Sequence, residues 1–183
     1  MTINLADLAK KLEHYLNLIQ DRRVFPSQED LKLLDYFAEP LPEVSSSAEQ
    51  VLDMLERYGS PNTVASQGGR YFGFVTGGVT EAALGAKLLG TVWDQNNGPS
   101  LGSPIAAKLE DVSLEWLKDL FGLPKESTGA FVTGATMANF IGLASARHAL
   151  LKRQGWNIEE DGLFGAPEFT VVVSQEAHST LFK

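Results

Sequence analysis

A chain of 183 residues is long enough for one domain with its own core, or for one domain plus an extension. Its 44% hydrophobic and 21% charged residues are the balance of a soluble globular protein, and a net charge of -8 with no basic tract disfavours nucleic acid or an anionic membrane as partner. Without cysteine, disulfides and thiolate metal sites are excluded. The absence fits a reducing compartment. Met1 to Lys11 holds no apolar run suited to a signal peptide, and no stretch approaches transmembrane length, so the reading is cytoplasmic.

In chain order, Leu5, Leu8, Leu12, Tyr15, Leu16 and Ile19 recur at three-to-four spacing and predict an amphipathic helix over roughly Asn4 to Gln20. Such a stripe must dock on something. Ser27 caps a second helix that runs to about Phe37, and Glu39-Pro40-Leu41-Pro42 forms an extended link. Ser47 with Gln50 makes a capping box for a third helix that ends near Tyr58. The segment from Gln67 to Gly78 is rich in glycine and aromatics and reads as an irregular loop whose backbone passes close to something. Thr80 caps a helix to about Trp93, and Asp94 to Pro99 is a loop. Ser103-Pro104 opens a helix that turns Ile105, Leu109, Val112, Trp116, Leu117 and Leu120 inward and stops at Gly122.

From Gly129 the pattern becomes strand, helix, strand. Ala130 to Thr133 reads as a short apolar strand, and Gly134-Ala135-Thr136 as a turn into a helix from about Met137 to Gln154. Phe169 to Ser174, with three consecutive valines, reads as a strand buried on both faces.

Two spots carry candidate chemistry. At Thr133-Gly134-Ala135-Thr136 a helix start offers unpaired N–H groups and the positive end of the helix dipole, which favour a phosphate, and Thr136 adds a hydroxyl. From these residues alone an ordinary capped turn with Thr136 as N-cap is the better reading. There is no glycine-lysine pair of a nucleotide loop. His178, just past the second strand, can stack on a flat heteroaromatic ring or simply begin a helix. His14 and His148 have no partners at metal-ligand spacing, so no metal site is expected.

Taken together, these spots and their flanks resemble the group II pyridoxal-phosphate-dependent amino-acid decarboxylases. The resemblance begins near Pro40-Leu41-Pro42-Glu43 and strengthens at Arg70 to Gly78 and at Trp93-Asp94-Gln95-Asn96. It runs on through Ser103-Pro104, Leu109-Glu110, Trp116-Leu117 and Gly122-Leu123-Pro124 to Gly129–Asn139, Ala146-Arg147 and Ala177-His178-Ser179.

The resemblance implies an α/β fold: part of a large domain of the aspartate-aminotransferase type (fold type I of the pyridoxal-phosphate enzymes) over residues 63–183, after a helical extension over 1–62 that packs across a homodimer interface. It implies pyridoxal 5'-phosphate as cofactor and a small molecule, an amino acid, as substrate. Ala135 and Thr136 match the phosphate-holding positions, His178 the catalytic, ring-stacking histidine, and Ser179 a hydroxyl beside it. Thr76 and Asn96 match the substrate pocket only loosely. Met137 and Gly69 depart from the residues common in the family, which leaves the substrate open. The family's aspartate for the pyridine nitrogen and its Schiff-base lysine come after this histidine. No Asp follows Asp161, and Lys183 comes only five residues after His178, too soon to match that lysine. The alternatives are another enzyme of the same fold type, an aminotransferase or aldehyde-lyase, and a truncated chain that only dimerises.

Overall fold

The computed structural model describes residues 3–182; Met1, Thr2 and Lys183 lie outside the described residues, and with them the position of Lys183 relative to the family lysine. Among the described residues there are seven α-helices: α1 Leu5–Leu18, α2 Gln28–Lys32, α3 Ala48–Met54, α4 Glu81–Trp93, α5 Pro104–Phe121, α6 Ala135–Arg153 and α7 Ile158–Asp161. Short 3-10 turns and one π-helical turn, Leu55–Gly59, extend or join them. The chain divides into two compact units, Met1–Asp94 and Gln95–Lys183. That is a division of packing; the 62/63 boundary expected from the resemblance is one of role.

In the first unit each α-helix begins at a residue whose side chain accepts from the first turn. Asn4 Oδ1 receives Asp7 N at 3.1 Å, and Thr80 Oγ1 receives Ala83 N at 3.3 Å. Ser27 pairs with Asp30 and Ser47 with Gln50 in reciprocal capping boxes. The helix from Ser27 tightens into 3-10 geometry over Leu33–Phe37 and stops where expected.

The stripe of α1 is covered mainly at its end: Ile19 is buried, whereas Leu5 is 60% exposed. The helix is held chiefly by polar contacts. Lys11 Nζ donates to Asp53 Oδ1 at 2.8 Å and also meets Asp7 at 3.2 Å, which raises the Lys11 pKa above its ordinary value. Tyr15 Oη lies 2.7 Å from Thr63 Oγ1. Arg22 Nη2 donates to the carbonyls of Ser60, Pro61 and Thr63 at 2.9, 3.0 and 3.2 Å, and its guanidinium sits 5.1 Å from the centre of the Tyr15 ring. The glycine-rich loop does approach something closely, and it is the protein's own backbone. A Cβ on Gly68 would lie 3.1 Å from the Ile19 carbonyl oxygen and 3.2 Å from that of Ala65.

One guanidinium thus serves three carbonyls, and charged hydrogen bonds contribute roughly 1.5–3 kcal/mol each against an unmade bond. Arg22→Met is therefore expected to raise amide exchange at least tenfold in α1 and across residues 60–63, read by hydrogen–deuterium exchange, with α5 and α6 unaffected. Unchanged protection over 60–63 would show that Arg22 does not tie these segments together.

In the second unit, Ser103 Oγ accepts from Ala106 N at 3.4 Å, Pro104 opens α5, and Gly122 ends it in the left-handed region at φ 61. The face expected to turn inward is bare in part: Leu109 is 56%, Trp116 71% and Leu120 75% exposed, while Val112 and Leu117 are half-buried. Helix α6 starts at Ala135, two residues before the expected Met137, and its Leu151 is fully buried. Residues read as loop fold into α7, where the Trp156 indole donates to the Gly162 carbonyl at 2.9 Å and His148 Nδ1 lies 3.2 Å from Glu159 Oε1.

The α/β expectation is not confirmed. Among the described residues there is no strand: neither Ala130–Thr133 nor Phe169–Ser174 has a ladder partner. A strand exists only by pairing, and these two segments do not pair with each other. The first is held by a side chain instead, with Phe131 N donating to Glu110 Oε1 of α5 at 3.1 Å. The second presents Val172 at 90% exposure, where burial on both faces was expected.

The missing sheet shows in the surface. The chain exposes 15345 Å². A folded protein of this mass exposes about 8,700 Å², and two of half the mass about 10,400 Å² together. An excess this large, rich in leucine, valine and aromatic side chains, drives association, and the charge of -8 slows it without replacing a core. Size-exclusion chromatography with light scattering should find the 183-residue chain associated, with a broad urea transition. A monodisperse 19.9 kDa monomer with one sharp transition would overturn this.

Candidate functional site

The start of α6 differs from every other α-helix start among the described residues. The six others carry a side-chain cap; α6 begins at Gly134, which has none. Ala138 N donates back to the Gly134 carbonyl at 3.1 Å, while the N–H groups of Ala135, Thr136 and Met137 have no protein acceptor among the described residues. These are the orphan donors that every helix start carries and that a side chain usually satisfies. Thr136 is not the cap. It sits in the first turn, exposed, and its hydroxyl makes no hydrogen bond to the described residues. A Cβ built on Gly134 would meet nothing within 4 Å, so the space beside the turn is open.

His178 stands at the start of the 3-10 helix Ser179–Leu181 and caps it: Nδ1 accepts from Thr180 N at 3.3 Å and lies 3.0 Å from Thr180 Oγ1. Thr180 Oγ1 also accepts from Asn139 Nδ2 of α6 at 2.8 Å. That bond fastens the segment carrying His178 to α6 within a turn of Thr136. Thr136 and Thr180 line one cleft of about 810 Å³, whose walls include Phe140, Arg147, Phe169 and Val171. Ser179 is exposed beside His178. So the structure places Ala135, Thr136, His178 and Ser179 in one unit and ties the two ends of the set through Asn139 and Thr180.

The weaker candidates are placed differently. Thr76 belongs to the first unit, where its hydroxyl donates to the Gly73 carbonyl at 3.3 Å; it follows Phe74 and Val75, both left-handed at φ 54 and 55. Asn96 Oδ1 accepts from Gly98 N at 3.1 Å and shapes its own turn. Sequence reasoning missed Asn139, Thr180 and Arg147. The first and last lie on the face of α6 that begins at Thr136, at three- and four-residue steps, and that spacing was the available signal. Arg147 Nε is buried without a hydrogen-bond partner. Among the described residues no cluster of three or more His, Asp or Glu could hold a metal, and no helix is long and apolar enough to cross a membrane.

The fold of this chain is that of part of mouse CSAD. It superposes on mouse CSAD with a TM-score of 0.76 at 18% identity, over 98% of this chain and 38% of that one, and on the apo form of mouse CSAD with 0.77 at 19%. In sequence it is 24% identical to Tryptophan decarboxylase 1 of Oryza sativa subsp. japonica over 183 residues, 94% of this chain and 35% of the relative. It is 27% identical to Aromatic-L-amino-acid decarboxylase of Bacillus atrophaeus over 144 residues, 75% of this chain and 28% of the relative. Tryptophan decarboxylase TDC1 of Camptotheca acuminata is 26% identical over 184 residues. No family model matches. The chain is similar to the group II pyridoxal-phosphate decarboxylases and spans about a third of the length of the curated relatives it matches.

Proposed function

We propose that this chain is the phosphate-binding and ring-stacking part of a pyridoxal-phosphate-dependent amino-acid carboxy-lyase, with a large domain of α/β type in the whole enzyme. The observation that carries the reading is the uncapped start of α6: three unpaired N–H groups and the free Thr136 hydroxyl, beside open space at Gly134. This donor set suits a phosphate dianion, because backbone donors and the helix dipole act on it without a compensating cation. The exposed imidazole of His178 offers a flat face for a pyridine ring. The residues present therefore fit the cofactor's phosphate and ring.

When bound, the cofactor supplies the electron sink that lets an amino acid lose carbon dioxide. The roles of this chain's residues are binding and orientation. The N–H groups of Ala135 and Thr136, with the Thr136 hydroxyl, hold the phosphate; His178 covers the ring and orients the substrate; Ser179 adds a hydroxyl at its rim. Thr76 and Asn96 remain only loose matches to the family's substrate-pocket positions, and the partly bare stripe of α1 belongs to the dimer contact of the extension over 1–62. The enzyme works in the cytoplasm on an amino-acid substrate.

Two outcomes test this. Thr136→Val should weaken binding of pyridoxal 5'-phosphate about tenfold or more, since a hydrogen bond to a charged group contributes roughly 1.5–3 kcal/mol, while leaving pyridoxal itself unaffected. Equal affinities for the two proteins, measured by titration calorimetry, would reduce Thr136 to a helix residue. The 183 residues place no lysine or aspartate at the family's positions after His178. By themselves they should release no carbon dioxide from any amino acid above a cofactor-only blank, and release above that blank would refute the assignment of roles.

A further inference from the structure

His178 is bonded in a way that fixes which of its nitrogens carries the proton. A backbone N–H can only donate, so Thr180 N at 3.3 Å requires Nδ1 to be an acceptor. The neutral ring then carries its proton on Nε2. The Thr180 hydroxyl lies 3.0 Å from the same Nδ1 and receives the Asn139 amide at 2.8 Å, so its own proton is directed to the ring. The donors run in one direction, from Asn139 Nδ2 to Thr180 Oγ1 to His178 Nδ1. His148 is wired oppositely: a carboxylate oxygen of Glu159 stands 3.2 Å from its Nδ1 and can only accept, so its Nδ1 carries the proton.

We infer that Asn139 and Thr180 are positioning residues that hold His178 as its Nε2–H tautomer and fix the plane of its ring, so that the ring presents a donor to whatever lies beyond it. Nε2 has no protein partner among the described residues, and the residue is exposed. The group that meets Nε2–H must therefore be an acceptor, which for an amino-acid ligand means its carboxylate. This rests on the proposed site for its ligand, but not for its geometry. A histidine that only caps the 3-10 helix would need Thr180 N alone; the hydroxyl and Asn139 would be idle.

Nitrogen-15 NMR of the imidazole rings in the whole 183-residue chain, above the ordinary histidine pKa of about 6.5, tests the wiring without cofactor. His178 should show an unprotonated Nδ1 and a protonated Nε2, and His148 the reverse in the same spectrum. Thr180→Val and Asn139→Leu keep the backbone bond but remove the relay. Each should shift the population of the fixed ring state roughly two- to tenfold, the range for one neutral hydrogen bond, and raise ring mobility in carbon-13 relaxation. Thr180→Ser should restore the native signature. If both variants leave the His178 ring unchanged, or if Nδ1 proves protonated, the inference fails. Pyridoxal 5'-phosphate affinity, measured in parallel, separates the two proposals: lost binding with an intact relay counts against the proposed site alone.

Discussion

Every α-helix leaves the N–H groups of its first turn without carbonyls, and the protein must decide what meets them. Most helix starts here are closed by the chain itself, with asparagine, serine or threonine side chains placed within three residues of the orphan donors. Helix α6 is left open. The candidate site depends on that difference, because a cap at Gly134 would satisfy with a side chain the donors that a phosphate would otherwise take. The long body of α6 then carries the consequence outward, through Asn139 to the segment of His178 and through Leu151 to the interior of its unit.

The second constraint is the cost of an apolar surface without a cover. Helix α5 and the segment Phe169–Val173 carry the side chains of an interior, yet Trp116, Leu120 and Val172 are largely in solvent. The likeness to mouse CSAD covers 38% of that chain, so the same fold there continues beyond the matched residues. The units hold together by local hydrogen bonding and by a few long polar ties, such as those of Arg22, more than by burial.

What was legible in the sequence follows from the range of each interaction. Capping is decided within four residues, so Ser27, Ser47, Thr80 and Ser103 announce their helices directly, and Gly122 announces an end. Strand formation is not local. The valines around Val172 have the composition of a buried strand, but composition cannot supply the neighbour that a ladder needs. The same limit hid the wiring of His178. The Asn139–Thr180 bond joins residues 41 apart, and nothing at either position marks the other. At Thr136 the local reading favoured an ordinary cap over a phosphate ligand, and only the geometry of Gly134 removed the cap.

The self-capped helices also bear on the order in which structure is acquired during synthesis. A helix whose cap lies next to it in the chain closes little loop entropy and can form as soon as it leaves the ribosome, within about a microsecond for a segment of this size. Helices α1 to α5 are therefore able to form in sequence while translation, at roughly 5–20 residues per second, is still proceeding. The open start of α6 and the unpaired valines after it come later and wait for partners that are not local.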